Sequence, residues 1–163
     1  ADAQTRNWEA QKAGERARKA AETGMRPSTL DGIPASLPAL MRAVKLQKRA
    51  ARVGFDWPGA EQVLDKLDEE IGEVRAEMRP DPSEQDMDRL EDELGDLIFV
   101  CVNLARKLGV DPESALRRCN RKFETRFRAV ETMLHDDHGK SMEESDLDEM
   151  EALWQHAKQS EKS

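Results

Sequence analysis

A short acidic motif occurs twice in this chain, as Glu70-Ile71-Gly72-Glu73 and again as Glu93-Leu94-Gly95-Asp96. Side chains at i and i+3 lie on the same side of an α-helix, so each motif would hold two carboxylates together. Two such helices packed antiparallel would gather four carboxylates beside an apolar seam. Mg²⁺ takes oxygen ligands and usually reaches its substrate through phosphate oxygens. The pattern therefore points to a metal-dependent enzyme that acts on a phosphorylated small molecule.

Other interpretations of the acidic pairs have to be weighed. About a fifth of the residues are acidic, so several acid-x-x-acid pairs arise by chance, and most would be solvated helix faces. Gly72 and Gly95 favour a functional origin, because a helix-interior glycine costs about 1 kcal/mol relative to Ala unless backbone or ligand approaches closely. A di-iron centre would need Glu-x-x-His pairs, and His135, His138 and His156 form none. Nucleotide-binding Gly-rich loops are also missing from the sequence.

Helical periodicity accounts for nearly all of the chain. Apolar stripes are predicted on the two helices that carry the motifs, with the acidic residues along one flank of each stripe. The predicted stripes are Val63, Leu64, Leu67, Ile71 and Val74 on the first, and Leu90, Leu94, Leu97, Cys101, Leu104 and Leu108 on the second.

Helix start and stop signals predict an all-α bundle of about five or six amphipathic helices. We expect helices at about 38–52, 59–78, 82–108, 112–134 and 146–159, with Ser145 as the last N-cap. Residues 7–22 are predicted to form a solvated helix and 23–37 a linker. The predicted division is an N-terminal helix and linker over 1–29, followed by one domain over 30–160.

Composition and net charge limit the ligands, the location and the assembly that we expect for the protein. The net charge of −8 argues against general nucleic-acid or anionic-membrane binding. The longest apolar run, 97–102, is too short to span a membrane. Cys101 and Cys119 show neither metal-ligand nor disulfide spacing, so we expect a cytoplasmic protein. The chain begins with Ala, as a processed chain or fragment would. With only 37% hydrophobic residues, its helices are expected to share a core across a homodimer.

Cations and aromatic rings recur at helical spacing elsewhere. Lys122 and Arg126 are four residues apart, and Phe123 and Phe127 follow the same spacing one residue on, so the phenyl rings are expected in the core with the cations on its edge. Ordinary surface charge, with Trp154 covering the core, is the plainer interpretation of each residue. Together they offer cations for phosphates and an aromatic face for a base. The residues of interest are Lys66, Lys122, Arg126, Trp154 and Lys158.

Several spaced motifs resemble the MazG nucleoside triphosphate pyrophosphohydrolases over about residues 30–160. In chain order they are Leu-Gln-Lys-Arg-Ala-Ala-Arg-Val-Gly-Phe-Asp-Trp (46–57), Glu-Glu-x-x-Glu (69–73), Glu-x-x-Asp (93–96), Val-Asn-Leu-Ala-Arg (102–106) and Lys-Phe-x-x-Arg-Phe (122–127), followed by Trp154 and Lys158. The resemblance implies an all-α homodimer or dimer of halves that uses Mg²⁺, with Mn²⁺ as a substitute. It also implies cleavage of nucleoside triphosphates between the α and β phosphates, giving a monophosphate and pyrophosphate.

The resemblance also implies residue roles. Metal would be held by Glu70, Glu73, Glu93 and Asp96. Nucleotide would be contacted by Lys66, Lys122, Arg126, Trp154 and Lys158. Either Glu69 or Glu73 would orient the attacking water, and the sequence does not choose between them.

Two departures from the family pattern stand out. Full-length bacterial members often carry two such domains, and this chain resembles the C-terminal one. The segment 139–142 lacks the acidic residue expected just before its Met. Two alternatives to the broad-substrate enzyme remain open: a non-catalytic helical dimerisation or regulatory module, and a relative restricted to one nucleotide, such as a dCTP, dUTP or phosphoribosyl-ATP hydrolase.

Overall fold

The computed structural model describes residues 26–161, together with Gly14 and Arg18. Apart from these two residues, the predicted helix over 7–22 lies outside the described part of the chain. Residues 26–161 form five α-helices and two short 3₁₀ turns, and they contain no β-strand. The helices are α1 (Ala39–Ala51), α2 (Ala60–Glu77), α3 (Met87–Lys107), α4 (Pro112–His138) and α5 (Leu147–Ser160), and the turns are Pro82–Glu84 and Met142–Glu144. The all-α prediction is thus confirmed over residues 26–161.

The chain divides into two compact units, Ala1–Pro112 and Glu113–Ser163. In the first unit, α2 packs along α3, and α1 also packs against α3. The second unit holds α5 and all of α4 except its first residue, Pro112. None of the helices in the described residues is long and apolar enough to cross a membrane.

The start of α3 differs from the prediction. Asp81 does act as an N-cap, accepting a hydrogen bond from the Ser83 amide at 2.8 Å, but the helix it starts is only the 3₁₀ turn. Gln85 is extended and ends that turn, and its side chain bonds back to the end of α2. Asp86 then caps α3 by accepting from the Arg89 amide at 3.2 Å. The predicted start at residue 82 was therefore wrong, because the second of two cap-competent aspartates begins the long helix.

The end of α4 also differs from the prediction, which placed it at Leu134. The helix continues to His138 and stops at Gly139, which adopts a φ of +61°. A left-handed residue at this position is a common helix terminator, whereas polarity alone does not end a helix. The N-cap of α5 is Asp146, which accepts from the Glu149 amide at 2.8 Å, rather than the predicted Ser145.

The core of the first unit includes one of the predicted acidic ligands, Glu70, instead of lying beside all of them. Val63 and Glu70 are buried on α2, and Val100 and Asn103 are buried on α3. Several members of the predicted stripes are exposed, among them Leu94. The buried side of each helix is therefore rotated about the helix axis from the predicted stripe. Apolar area alone did not show which side of each helix packs against the other.

The displaced stripes leave apolar side chains on the surface of the first unit. On α2, Leu64 and Ile71 are seven positions apart, which keeps them on one side of the helix. We call the set the outer apolar face: Leu64, Ile71, Met78, Leu94 and Ile98. The close approach predicted at Gly72 and Gly95 is not made by any other described part of the chain. Apart from the adjacent residues and the backbone of its own helix, no described atom lies within 4 Å of a Cβ built at either residue.

The second unit has a small core in which Val130, Leu134 and Ala157 are buried. Phe123 and Phe127 were expected in this core, and that prediction was wrong. Phe123 is 56% exposed and Phe127 is also exposed, although their rings stack with centroids 5.8 Å apart. Helical spacing placed the two rings on one face correctly, but it could not show whether another element covers that face.

Candidate active site

Three carboxylates meet where α2 packs along α3. Glu70 comes from α2, and Glu93 and Asp96 come from successive turns of α3. One oxygen from each lies within 4.8 Å of the others. We call these three residues the acidic cluster. The structure thus brings together three of the four residues predicted to bind metal, although their role as ligands stays a prediction.

Glu70 lies deepest in the acidic cluster and is only 4% exposed. Its Oε1 pairs with the Lys66 ammonium at 2.8 Å, whereas its buried Oε2 has no hydrogen-bond partner. A buried acceptor without a partner is costly, by about 1–3 kcal/mol, and rare in native proteins. An all-carboxylate set with such an oxygen suits a hard divalent cation, so the residues present fit the metal that the sequence predicts.

Glu73 lies one turn beyond Glu70, towards solvent. Loss of hydration raises the pKa of its carboxyl, and the neighbouring Glu70 carboxyl raises that pKa further. The negative charges of Glu70 and Glu93 act in the same direction, and the positive charge of Lys66 opposes them. Glu73 therefore interacts with the acidic cluster from its exposed edge, as a fourth carboxylate could.

Lys66 connects the acidic cluster to Glu69. Its ammonium lies 2.7 Å from Glu69 Oε1 and 2.8 Å from Glu70 Oε1. The hydrogen bond to Glu69, followed by that to Glu70, raises the pKa of Lys66 well above its usual value. Glu69 itself is exposed over 59% of its side chain. The structure thus places one predicted phosphate contact and one predicted catalytic carboxylate directly beside the acidic cluster.

The remaining predicted nucleotide contacts belong to the second unit. The Arg126 guanidinium lies 5.8 Å from the centre of the Trp154 ring and donates two hydrogen bonds to Glu161, at 2.7 and 3.0 Å. Lys122 and Lys158 are exposed. The structure therefore joins Arg126 to Trp154 within this unit, and the nucleotide contact of all four residues stays a prediction.

The region matched by a known protein family contains α2, α3 and the acidic cluster. Residues 59–130 match the family model of the MazG nucleotide pyrophosphohydrolase domain. The chain is also 51% identical, over 154 residues, to a protein of Escherichia coli K12 named nucleoside triphosphate pyrophosphohydrolase. The chain belongs to the MazG family.

Other relatives extend the comparison. A Thermotoga maritima protein named nucleoside triphosphate pyrophosphohydrolase/pyrophosphatase MazG is 39% identical over 153 residues. The uncharacterized protein YabN of Bacillus subtilis is 38% identical over 156 residues. These alignments, and that with the E. coli protein, cover 94% to 96% of this MazG chain. They span 56% of the E. coli relative, 54% of the Thermotoga relative and 30% of YabN.

Sequence reasoning missed an ionic network that fixes the loop before α2 in this MazG domain. The Asp56 carboxylate pairs with Arg106, and with the Lys107 ammonium at 2.7 Å. The hydrogen bond from Arg106 is the main cause that lowers the pKa of Asp56. Arg106 also donates to Asn103 Oδ1 at 2.7 Å. Three of these residues lie in the motifs over 46–57 and 102–106, but neither motif shows by itself that they pair.

Gln47 was also missed, although the sequence carried a signal. On α1 it shares a helix face with small apolar residues such as Ala43 and Ala50, where a polar side chain is unexpected. In the structure Gln47 is buried, and its Nε2 donates to the Phe99 carbonyl oxygen at 2.8 Å.

Proposed function

We propose that this MazG domain hydrolyses nucleoside triphosphates and deoxynucleoside triphosphates to the monophosphate and pyrophosphate. The observation that carries the proposal is the acidic cluster, with its buried and unpartnered Glu70 oxygen. It lies in a family in which the E. coli and Thermotoga relatives are named nucleoside triphosphate pyrophosphohydrolases. The proposed extent of the domain is 30–160, which contains the matched range 59–130. The cytoplasm remains the proposed location.

The metal is proposed to be Mg²⁺, with Mn²⁺ as a substitute. Glu70, Glu93 and Asp96 would hold it, and Glu73 would join them from the exposed edge. When bound, a divalent cation neutralises phosphate charge and lowers the pKa of a bound water. Three or four carboxylates would provide the negative charge that makes these residues selective for a divalent over a monovalent cation.

The protein residues beside the cluster would position the reacting water. Lys66 fixes one oxygen of Glu69, and the exposure of Glu69 leaves its second oxygen able to accept a hydrogen bond from water. Glu73 is an equally placed candidate on the other side of Glu70. Both carboxylates are therefore candidates for orienting the water.

The cations are proposed to contact the triphosphate. Lys66 is supported by its position at the acidic cluster, where it would exchange a carboxylate partner for a phosphate oxygen. For the second-unit residues, support comes from their chemistry. Lys122, Arg126 and Lys158 supply charge, and Trp154 supplies an aromatic surface.

A homodimer is the proposed assembly. The outer apolar face of the first unit and the exposed Phe123 and Phe127 of the second are large apolar side chains on the surface of a single chain. Within each unit, large apolar side chains gathered on one helix face are typical of a protein interface. A second copy of the chain would cover it, and this would also compensate for the low apolar content of each chain.

Product identification tests the function. The purified chain is incubated with each nucleoside and deoxynucleoside triphosphate and Mg²⁺, and the products are separated by anion exchange. We expect monophosphate plus pyrophosphate. Diphosphate plus orthophosphate would contradict the proposed bond cleavage. Turnover of one nucleotide alone would favour the restricted relative, and no turnover of any would favour the non-catalytic module.

Substitution of the cluster tests the site. Glu70→Gln and Asp96→Asn keep side-chain shape but each removes a charged ligand. We expect activity to fall at least about a hundredfold, with far-UV helicity unchanged. Asp92→Asn is the matched control, because Asp92 is exposed on α3 and lies outside the acidic cluster. Normal activity in either cluster variant would refute the proposed metal site.

A further inference from the structure

In the second unit, a carboxylate at the end of α5 occupies the arginine that is proposed to bind phosphate. Arg126, on α4, donates from Nε and from Nη2 to the same Glu161 oxygen, Oε2, at 3.0 and 2.7 Å. The Arg126 side chain is 17% exposed and that of Glu161 is 32% exposed. A guanidinium binds carboxylate and phosphate groups with the same N–H donors. Glu161 therefore takes up donors that a phosphate group would need.

A second cation acts on the same carboxylate. Lys122 lies one turn before Arg126 on α4, so the two cations are on one side of the helix. The hydrogen bond from Arg126 lowers the pKa of the Glu161 carboxyl, and the positive charge of Lys122 acts in the same direction. Glu161 is thus held as an anion by both of the α4 cations that are proposed to contact the triphosphate.

The position of Arg126 does not depend on Glu161 alone. Its guanidinium lies 5.8 Å from the centre of the Trp154 ring, and the Phe123 ring lies against the same indole with centroids 5.3 Å apart. A cation over an aromatic face is attracted to that face. Loss of the Glu161 contact would therefore leave the guanidinium beside Trp154, with its N–H donors open to another anion.

Glu161 is in an unfavourable place for its own helix. It is the C-cap residue of α5, and its amide donates to the Ala157 carbonyl oxygen at 3.3 Å. The partial negative charge at a helix C-terminus disfavours an acidic side chain there. Helix stability therefore does not explain this carboxylate, whereas the two cations of α4 do. Because terminal helical turns open at low free-energy cost, a more highly charged anion could displace it easily.

We propose that Glu161 is a competing anion built into the phosphate site, an inference that rests on the proposed function. In the free protein its carboxylate neutralises charge on Arg126 and Lys122. A phosphate group of the substrate replaces it, and the carboxylate returns to the cations when the phosphorylated product leaves. Glu161 therefore weakens the binding of every ligand whose phosphates reach Arg126, substrate and product alike.

Removal of the charge should strengthen phosphate binding while it weakens the fold. Glu161→Gln and wild type are titrated calorimetrically with inorganic tripolyphosphate in Mg²⁺ buffer, and thermal unfolding is measured beside the titrations. We expect the dissociation constant to fall about twofold to fivefold, the range for loss of a partly exposed ion pair, with a slightly lower unfolding midpoint. The KM for nucleoside triphosphates should fall by a similar factor. Glu151→Gln, at an exposed position of the same helix, should alter neither the dissociation constant nor KM.

A purely structural role for the pair predicts a different result. If Glu161 only positions Arg126, Glu161→Gln should weaken tripolyphosphate binding or leave it unchanged, and either outcome would overturn the proposal. Absence of tripolyphosphate binding in both proteins would overturn it as well. In an Arg126→Ala background, Glu161→Gln should give less of the gain, because the main partner of the carboxylate is gone. An equal gain in both backgrounds would show a general effect of net charge and would also refute the proposal.

Tripolyphosphate binding separates this inference from the proposed function, because it requires no hydrolysis. If Glu161→Gln binds tripolyphosphate more tightly than wild type but neither protein hydrolyses a nucleotide, the competing anion stands and the proposed function fails. If nucleotides are hydrolysed, yet the dissociation constant and KM are unchanged in Glu161→Gln, the competing anion is wrong and the proposed function stands.

Discussion

Replacing Asp96 with Asn should have opposite effects on stability with and without metal. Asp96 shares the acidic cluster with Glu70 and Glu93. Without metal these like charges repel one another, so removal of one charge should stabilise the folded chain. With Mg²⁺ bound the same charge is a ligand, so its removal should destabilise the chain relative to wild type.

The structure sets the size of both effects. At the 4.8 Å limit of the cluster, two unit charges repel by about 0.9 kcal/mol in water and by about 3.5 kcal/mol at an effective dielectric constant of 20. Asp96 is exposed and Lys66 offsets part of the cluster charge, so we expect a gain of about 1 kcal/mol. For a chain of this size, that raises the unfolding midpoint by about 2–4 °C.

The metal effect follows from binding linkage. At a free Mg²⁺ concentration ten times the dissociation constant, a site that exists only in the folded state adds about 1.4 kcal/mol of stability. Wild type should gain this amount, and Asp96→Asn should gain much less because it has lost one of its charged ligands. The order of the two midpoints should therefore reverse between the buffers.

Thermal unfolding followed by far-UV circular dichroism, in EDTA and in Mg²⁺ at equal ionic strength, measures both effects. Asp92→Asn serves as the control for charge and helix propensity, because it makes the same change on the same helix outside the acidic cluster. Equal shifts of the Asp96 and Asp92 variants in both buffers would refute a metal site here.

Three further predictions concern the second unit, the assembly and the loop network. Lys122→Ala should lower kcat/KM about ten- to hundredfold through loss of a charged hydrogen bond to phosphate, with an unchanged unfolding midpoint. Arg126→Ala should lower both kcat/KM and the unfolding midpoint, because it also loses the ion pair with Glu161. Unchanged kcat/KM in both variants would show that neither residue belongs to the site. Light scattering at micromolar concentration should give twice the 18.5 kDa chain mass, and Ile71→Arg should reduce it to one chain; a fully active wild-type monomer would contradict the homodimer. Asp56→Asn should lower the free energy of unfolding by about 1–3 kcal/mol at pH 7. Because the folded pKa of Asp56 is lowered, the stability difference measured by urea unfolding should fade as pH falls below about 4. A difference independent of pH would contradict the ionic role.

Local sequence signals were sufficient where local energetics decide structure. Apolar periodicity and capping residues predicted α1 within one residue at each end, as Ala39–Ala51 against 38–52, and α2 equally well. They failed at α3, where Asp81 and Asp86 both have the chemistry of an N-cap. The extended backbone at Gln85 decides between them, and that backbone is stabilised by a bond to the end of α2.

The acidic cluster shows how far spacing alone can predict a site. The i, i+3 repeat correctly placed Glu93 and Asp96 on one side of α3, because helix geometry fixes that relation. It did not show that Glu70 is buried, because burial depends on which side of α2 meets α3. The hydrogen-bond partner of Gln47 was equally hidden, since α1 and α3 come together across some fifty residues of sequence.

The sequence by itself determined the helical class, the approximate helix limits, the pairing of carboxylates and the family resemblance. Each of these follows from residues within a few positions of one another or from ordered motifs. Only the tertiary structure decided which helix faces are buried, which Glu70 oxygen lacks a partner and which carbonyl oxygen Gln47 bonds. Apolar residues lie on more than one side of α2 and α3, so packing between distant segments, and not periodicity, selects the buried side.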